Sequence, residues 1–144
     1  MNPLPNEVVP TILVVDDHVG DRKLMSTALA EEGYHVLEAG SGESGLETFK
    51  KYSDVIDLIV TDMMMPGMNG VEFFRNVRKI SSRPKVIFTS GYRLRYSGEP
   101  YGNTTDTFIE KSVNAVHLIQ KVHEVLDHKG LFVNVLNLVS TESQ

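Results

Sequence analysis

The stretch LIVTDMMMPGMNG, residues 58–70, decides how this chain is read. An apolar run of strand length stops abruptly at a carboxylate, Asp62. Met63, Met64 and Met65 follow, Pro66 and Gly67 turn the chain, and Asn69-Gly70 opens a helical pattern. A short, continuous apolar run is what a strand buried on both faces requires. The stretch is therefore the joint of a βα unit, with an acid at the end of its strand.

The same arrangement recurs on either side. TILVV, residues 11–15, is a second β-branched run, and it ends in Asp16-Asp17. From about Gly20 to Glu32 the pattern turns helical, with Leu24, Met25, Ala28 and Leu29 expected inward and Gly33 as the stop. Residues 35–39 read as a short strand, and residues 41–52 as a helix with Leu46 and Phe49 inward. The strand at 57–61 is followed by a helix from about Gly70 to Ile80. Residues 84–90 and 107–110 form the fourth and fifth strands. The last helix is expected over 112–127, with Val116, Ile119, Val122, Val125 and Leu126 as its apolar face. Strands alternating with helices imply an α/β fold: a flavodoxin-like, doubly wound, five-stranded parallel sheet with helices on both faces. The segment 91–106 should hold a helix, but Gly98, Pro100 and Gly102 interrupt it, so that helix is expected to be short or irregular. Three divisions follow: an N-terminal extension (1–10), a central domain (11–128) and a tail or linker (129–144). The apolar start of that tail, residues 131–139, could support a homodimer.

Composition narrows the function. The 144 residues suit one domain, with 41% hydrophobic and 23% charged content. No apolar run approaches the roughly 18 residues of a membrane span, and no secretory signal is visible. The absence of cysteine excludes disulfides and thiolate metal sites. These features fit a cytoplasmic protein. A net charge of −5 argues against a nucleic-acid surface. Tyr92, Arg93, Arg95, Tyr96 and Tyr101 do interleave bases with aromatics, yet a loop in an acidic chain is the simpler reading. The five histidines are scattered without a metal-ligand pair, and His123 and His128 read as surface residues. The methionine run reads as core filling and loop packing.

In a parallel sheet of this kind the ligand site lies beyond the carboxyl ends of the strands. Asp16, Asp17 and Asp62 would meet there, with Thr89-Ser90 from the fourth strand and Lys111 after the fifth. Carboxylates so close raise one another's pKa, and a divalent cation relieves this. Hard oxygen ligands point to Mg2+. A carboxylate can also attack phosphorus to give an acyl phosphate, helped by a metal, a hydroxyl and a fixed cation. Taken singly, each residue has a plainer role: Asp16-Asp17 as helix caps, Asp62 as a loop acid, Lys111 as a solvated lysine and Phe108 as core.

Together the motifs DD (16, 17), TDMMMPGMNG (61–70), FTSG (88–91) and FIEK (108–111) resemble the receiver domain of two-component response regulators, over roughly residues 10–128. The resemblance implies Asp62 as the phospho-acceptor. It implies Mg2+ on Asp16, Asp17, Asp62 and the Met64 backbone carbonyl, Thr89 as the switch hydroxyl, and Lys111 as the phosphate-pairing cation. Phe108 would be the aromatic that moves on activation. It also implies partners: a histidine kinase or histidine phosphotransfer protein as donor, and a downstream protein target or fused domain as recipient. No nucleic acid or membrane would be bound by this domain. The chain would catalyse transfer to its own Asp62 without being a multiple-turnover enzyme. Where the family usually has Lys-Pro with a cis peptide, this chain has Lys111-Ser112, and a non-proline cis bond costs about 2.5–4 kcal/mol. Two rivals are weighed. A phosphohydrolase with an Asp nucleophile would need an acid where Met64 stands. A phosphorylation-independent interaction module would have lost an acid or the lysine, and none is lost here.

Overall fold

The computed structural model describes residues 8–91, 108–111 and 114–126. The elements run β1 (Thr11–Val15), α1 (Val19–Glu31), β2 (His35–Ala39), α2 (Gly42–Tyr52), β3 (Ile56–Asp62), α3 (Gly70–Ile80), β4 (Lys85–Ser90), β5 (Phe108–Glu110) and α4 (Val116–Leu126). The five strands form one sheet in the order β2-β1-β3-β4-β5, and every neighbouring pair is parallel. The flavodoxin-like, doubly wound expectation is met. The strand order reverses between β1 and β3, which is where such sheets place their ligand sites.

Alternation along the strands fills two cores. Leu13, Val15 and Ile59 face the side that holds Phe49 of α2 and Phe73 and Val77 of α3. Ile12, Val14, Leu58, Val60 and Ile87 face the side that holds Met25 and Leu29 of α1 and Leu118 and Val122 of α4. Central strands covered on both faces need apolar residues at successive positions, which accounts for the uninterrupted runs in β1 and β3.

Local signals set the helix starts. Ser41 caps α2 by accepting from the Ser44 N–H at 3.0 Å, and Asn69 caps α3 by accepting from the Glu72 N–H at 2.9 Å. Each start is a reciprocal capping box. Gly67 has φ 72°, in the left-handed region that favours glycine. Gly70 is required for a different reason: a Cβ there would collide with the Asp62 carbonyl oxygen. The helix start is thus packed directly on the end of β3.

The helix faces need three corrections. Leu24, expected inward, is 41% exposed. It lines a hollow between α1, the ends of β4 and β5, and the start of α4. Val116, expected on the apolar face of the last helix, is 50% exposed, and Leu118 is buried in its place. The stripe that reaches the core runs through Leu118 and Val122, and Val116 lies off it. His123, expected at the surface, is buried, and the Tyr34 hydroxyl pairs with its Nδ1 at 2.8 Å. The methionines split: Met63 and Met65 are buried, whereas Met64 is exposed. The readings of residues 1–7, 92–107 and 127–144, including the irregular helix and the dimerising tail, lie outside the described residues, as does the Ser112 peptide.

Candidate functional site

The carboxyl ends of β1, β3, β4 and β5 bring the expected residues together. Asp16 follows β1 directly and is fully buried. Its Oδ1 accepts the His18 N–H at 2.9 Å, closing the turn into α1. Arg22, one turn into that helix, donates to the Asp16 carbonyl oxygen at 2.8 Å and to Glu38 at 3.2 Å. The turn is therefore fixed against the first two strands. The plainer reading of Asp16 as a turn-closing acid holds, but it uses only one of the two carboxylate oxygens.

Asp62 ends β3 and is 3% exposed. Its Oδ1 accepts the Met64 N–H at 3.2 Å. Its register partner on β4 is Thr89, and the Met63 N–H donates to the Thr89 carbonyl oxygen at 2.9 Å. The register thus sets Thr89 next to the acid on the neighbouring strand. The hydroxyl is buried and has no hydrogen-bond partner among the described residues. Such an atom is costly to leave unpaired. Phe108, on β5, is half-buried and stacks on Phe88 with ring centroids 5.3 Å apart. Phe88 in turn meets Phe74 edge-on at 5.9 Å.

Lys111 closes the site. Its backbone N–H donates to the Ser90 carbonyl oxygen at 2.7 Å. Its ammonium lies 2.8 Å from Asp16 Oδ2 and 3.1 Å from both Asp62 Oδ2 and Asp21 Oδ2. Asp21 was not singled out from the sequence. It lies one helical turn past the paired acids, and only the fold brings it to the lysine. His18 was missed as well: its Nδ1 lies 3.5 Å from Asp17 Oδ1, on the rim of the acidic cluster formed by Asp16, Asp17, His18 and Asp62.

The electrostatics follow from the charge count. Asp16, Asp21 and Asp62 contact one ammonium, and Asp17 adds a fourth carboxylate to the cluster of Asp16 and Asp62. Burial pushes the Asp62 carboxyl above its ordinary range; Lys111 opposes that shift, and Asp16 adds to it. Burial pulls the Lys111 ammonium down, but its bonds to Asp16, Asp21 and Asp62 outweigh this and hold its pKa above the ordinary value. The cluster therefore has an excess of negative charge in a poorly solvated place. Asp17 Oδ1 is also buried without a hydrogen-bond partner among the described residues. Oxygen-rich, anionic and under-satisfied, the pocket fits a hard divalent cation.

Paired acids, a buried strand-end aspartate, an unpartnered hydroxyl and a bridging lysine thus meet at the switch point of the α/β sheet. Residues 12–123 match the response regulator receiver domain, and the chain belongs to that family. It is 32% identical to the response regulator ArlR of Staphylococcus aureus over 117 residues, covering 80% of this chain and 52% of ArlR. With the autoinducer 1 sensor kinase/phosphatase LuxN of Vibrio harveyi it shares 35% identity over 86 residues, which is 60% of this chain and 10% of LuxN. The chain thus spans about half of one relative and a tenth of the other. Among solved structures, the response regulator TrrA of Thermotoga maritima in complex with Mg(2+)-BeF is 34% identical with a TM-score of 0.70, covering 81% of this chain and 98% of TrrA. TrrA has also been solved bound to the histidine kinase ThkA, at 35% identity and a TM-score of 0.70 over 82% of this chain and 99% of that one. Among the described residues no helix is long and apolar enough to cross a membrane.

Proposed function

We propose that this chain is a phosphoryl-accepting switch in which Asp62 takes the phosphoryl group from a phosphohistidine. The observation that carries the reading is Asp62 itself: a buried strand-end carboxylate with Lys111 Nζ 3.1 Å away and the unpaired Thr89 hydroxyl on the neighbouring strand. A carboxylate oxygen of Asp62 attacks phosphorus, the P–N bond to the donor imidazole breaks, and its electron pair leaves with the nitrogen. The Met64 N–H holds the other carboxylate oxygen and so orients the nucleophile. Lys111, now on Asp62 Oδ2, passes to a phosphoryl oxygen as the acyl phosphate forms, and the Thr89 hydroxyl pairs with another. Asp16, Asp17, Asp62 and the Met64 carbonyl would hold Mg2+, which when bound neutralises charge on the phosphoryl oxygens.

Transfer from a histidine kinase or phosphotransfer protein is the chemistry that suits this site, in keeping with the TrrA–ThkA complex. The domain catalyses its own modification and hydrolyses it slowly, because Met64 offers no proton where a phosphohydrolase would carry an acid. A cytoplasmic setting and a downstream protein target or fused domain belong to the same reading. The rival without phosphorylation is disfavoured, since every acid and the lysine are retained and converge. Phe108, stacked on Phe88, couples Thr89 to the β5 edge as a new charge shifts the population between two states.

The test is phosphorylation by a small acyl phosphate in Mg2+, read by intact mass and by hydride trapping of the acyl phosphate. Wild type should take up one phosphoryl group and Asp62→Asn none. Equal labelling of both proteins would refute Asp62 as the acceptor.

A further inference from the structure

His18 occupies a position that the phosphotransfer chemistry does not use. Asp16, Asp17, His18 and Asp62 each offer one ligand atom, and these atoms all lie within 4.8 Å of one another. The His18 Nδ1 is 3.5 Å from Asp17 Oδ1 and 3.6 Å from Asp16 Oδ1. This approach is imposed by the backbone. The His18 N–H is held by the same Asp16 carboxylate, so the imidazole begins α1 over the mouth of the acid pocket. Two further features point to a ligand rather than to a plain ion pair. Asp17 Oδ1 is buried with no hydrogen-bond partner among the described residues, and so is the Thr89 hydroxyl beside Asp62. The His18 side chain is 65% exposed, so it can turn toward an incoming ion without disturbing the core.

We infer that His18 is a metal ligand of this site, adding one imidazole nitrogen to the three carboxylates and the Met64 carbonyl and shifting the site's preference from Mg2+ toward first-row transition-metal dications. The inference rests on the proposed metal site of Asp16, Asp17 and Asp62. Its physical basis is ligand softness. Mg2+ takes oxygen ligands and surrenders its waters reluctantly. Imidazole nitrogen favours the later first-row metals, and affinity rises from Mn2+ through Co2+ to Ni2+. A carboxylate-only pocket would discriminate little in their favour.

The experiment uses the full chain, with Mg2+, Mn2+ and Ni2+ as probes, on wild type, His18→Ala and Asp17→Asn. In calorimetric titrations His18→Ala should lower Ni2+ affinity by about tenfold or more, since losing even an outer-shell partner of a metal ligand typically costs that much. Mg2+ affinity should be unchanged. With Mn2+ bound, pulsed electron paramagnetic resonance should detect a directly coordinated nitrogen in wild type and none in His18→Ala. Added Mg2+ should displace the Mn2+ signal. Persistence of the nitrogen coupling in His18→Ala, its absence from wild type, or equal losses for Mg2+ and Ni2+ would each overturn the inference. Failure of wild type to bind Mg2+, or of Asp17→Asn to weaken it, would instead refute the underlying metal site.

Discussion

At the scale of single residues, the site stores a conflict between four carboxylates and one ammonium. Burial raises the Asp62 pKa above its ordinary value of 3.8, so the folded chain binds that proton more tightly than the unfolded chain does. Stability attributable to Asp62 therefore falls as pH rises from that value through the folded one, and at neutral pH the ionised group opposes folding. In chelator-treated buffer at neutral pH, Asp62→Asn should melt higher than wild type, on the order of 5 °C for a domain of this size. The advantage should disappear in strong acid, and Mg2+ should narrow it by stabilising wild type more. Thermal melts across pH, with and without Mg2+, check both signs. Asp16, Asp17, Asp62, Thr89 and Lys111 were all legible as residues, because each closes a strand in the same pattern. Asp21 and His18 were not. Their relevance comes from the direction in which α1 leaves the sheet, and no spacing in the sequence states that.

At the scale of elements, the contact between α3 and β3 governs how Asp62 is presented. Gly70 is the point of closest approach, with no room for a Cβ against the Asp62 carbonyl. Gly70→Ala must push the start of the helix away from the strand end, an overpacking that typically costs about 1–3 kcal/mol. Chemical denaturation should register that loss, and calorimetry should register weakened Mg2+ binding, since the displaced backbone carries Asp62. Beside the apolar contacts of Leu118 and Val122, α4 is tied to the rest of the fold by the hydrogen bond between Tyr34 and His123. Burial, and then Glu32, raise the Tyr34 pKa above its ordinary value of 10.0. The folded phenol keeps its proton where the unfolded one ionises, so stability is present below that pH and falls above it. Tyr34→Phe should flatten this alkaline loss and cost about 1 kcal/mol at neutral pH from the missing hydrogen bond. Denaturation midpoints at neutral and alkaline pH separate the two effects. Strands were easier to read than helix faces. β1 and β3 announce themselves as unbroken apolar runs, whereas the burial of His123 depends on a tyrosine 89 residues away. Leu24 and Val116 sit at the margins of their stripes, where a few degrees of helix rotation decide exposure.

At the scale of the whole molecule, the parallel sheet brings four dispersed motifs to one place. The order β2-β1-β3-β4-β5 puts the two acid-bearing strands side by side, with Thr89 and Lys111 on the next two edges. The alternation of strands and helices was enough to expect this, because right-handed βα connections leave few other topologies. The stretch 91–106 and the tail 129–144 read in the sequence only as departures from that alternation. The central claim is that these converged residues form a Mg2+-dependent phosphoryl site. Beryllofluoride, which mimics a phosphoryl group on an aspartate, tests it most directly when titrated with Mg2+ and followed by amide NMR on wild type and Asp62→Asn. The expected result is saturable, Mg2+-dependent change at Asp62, Thr89, Phe108 and Lys111 in wild type only. No response in wild type, or the same response in Asp62→Asn, would contradict it.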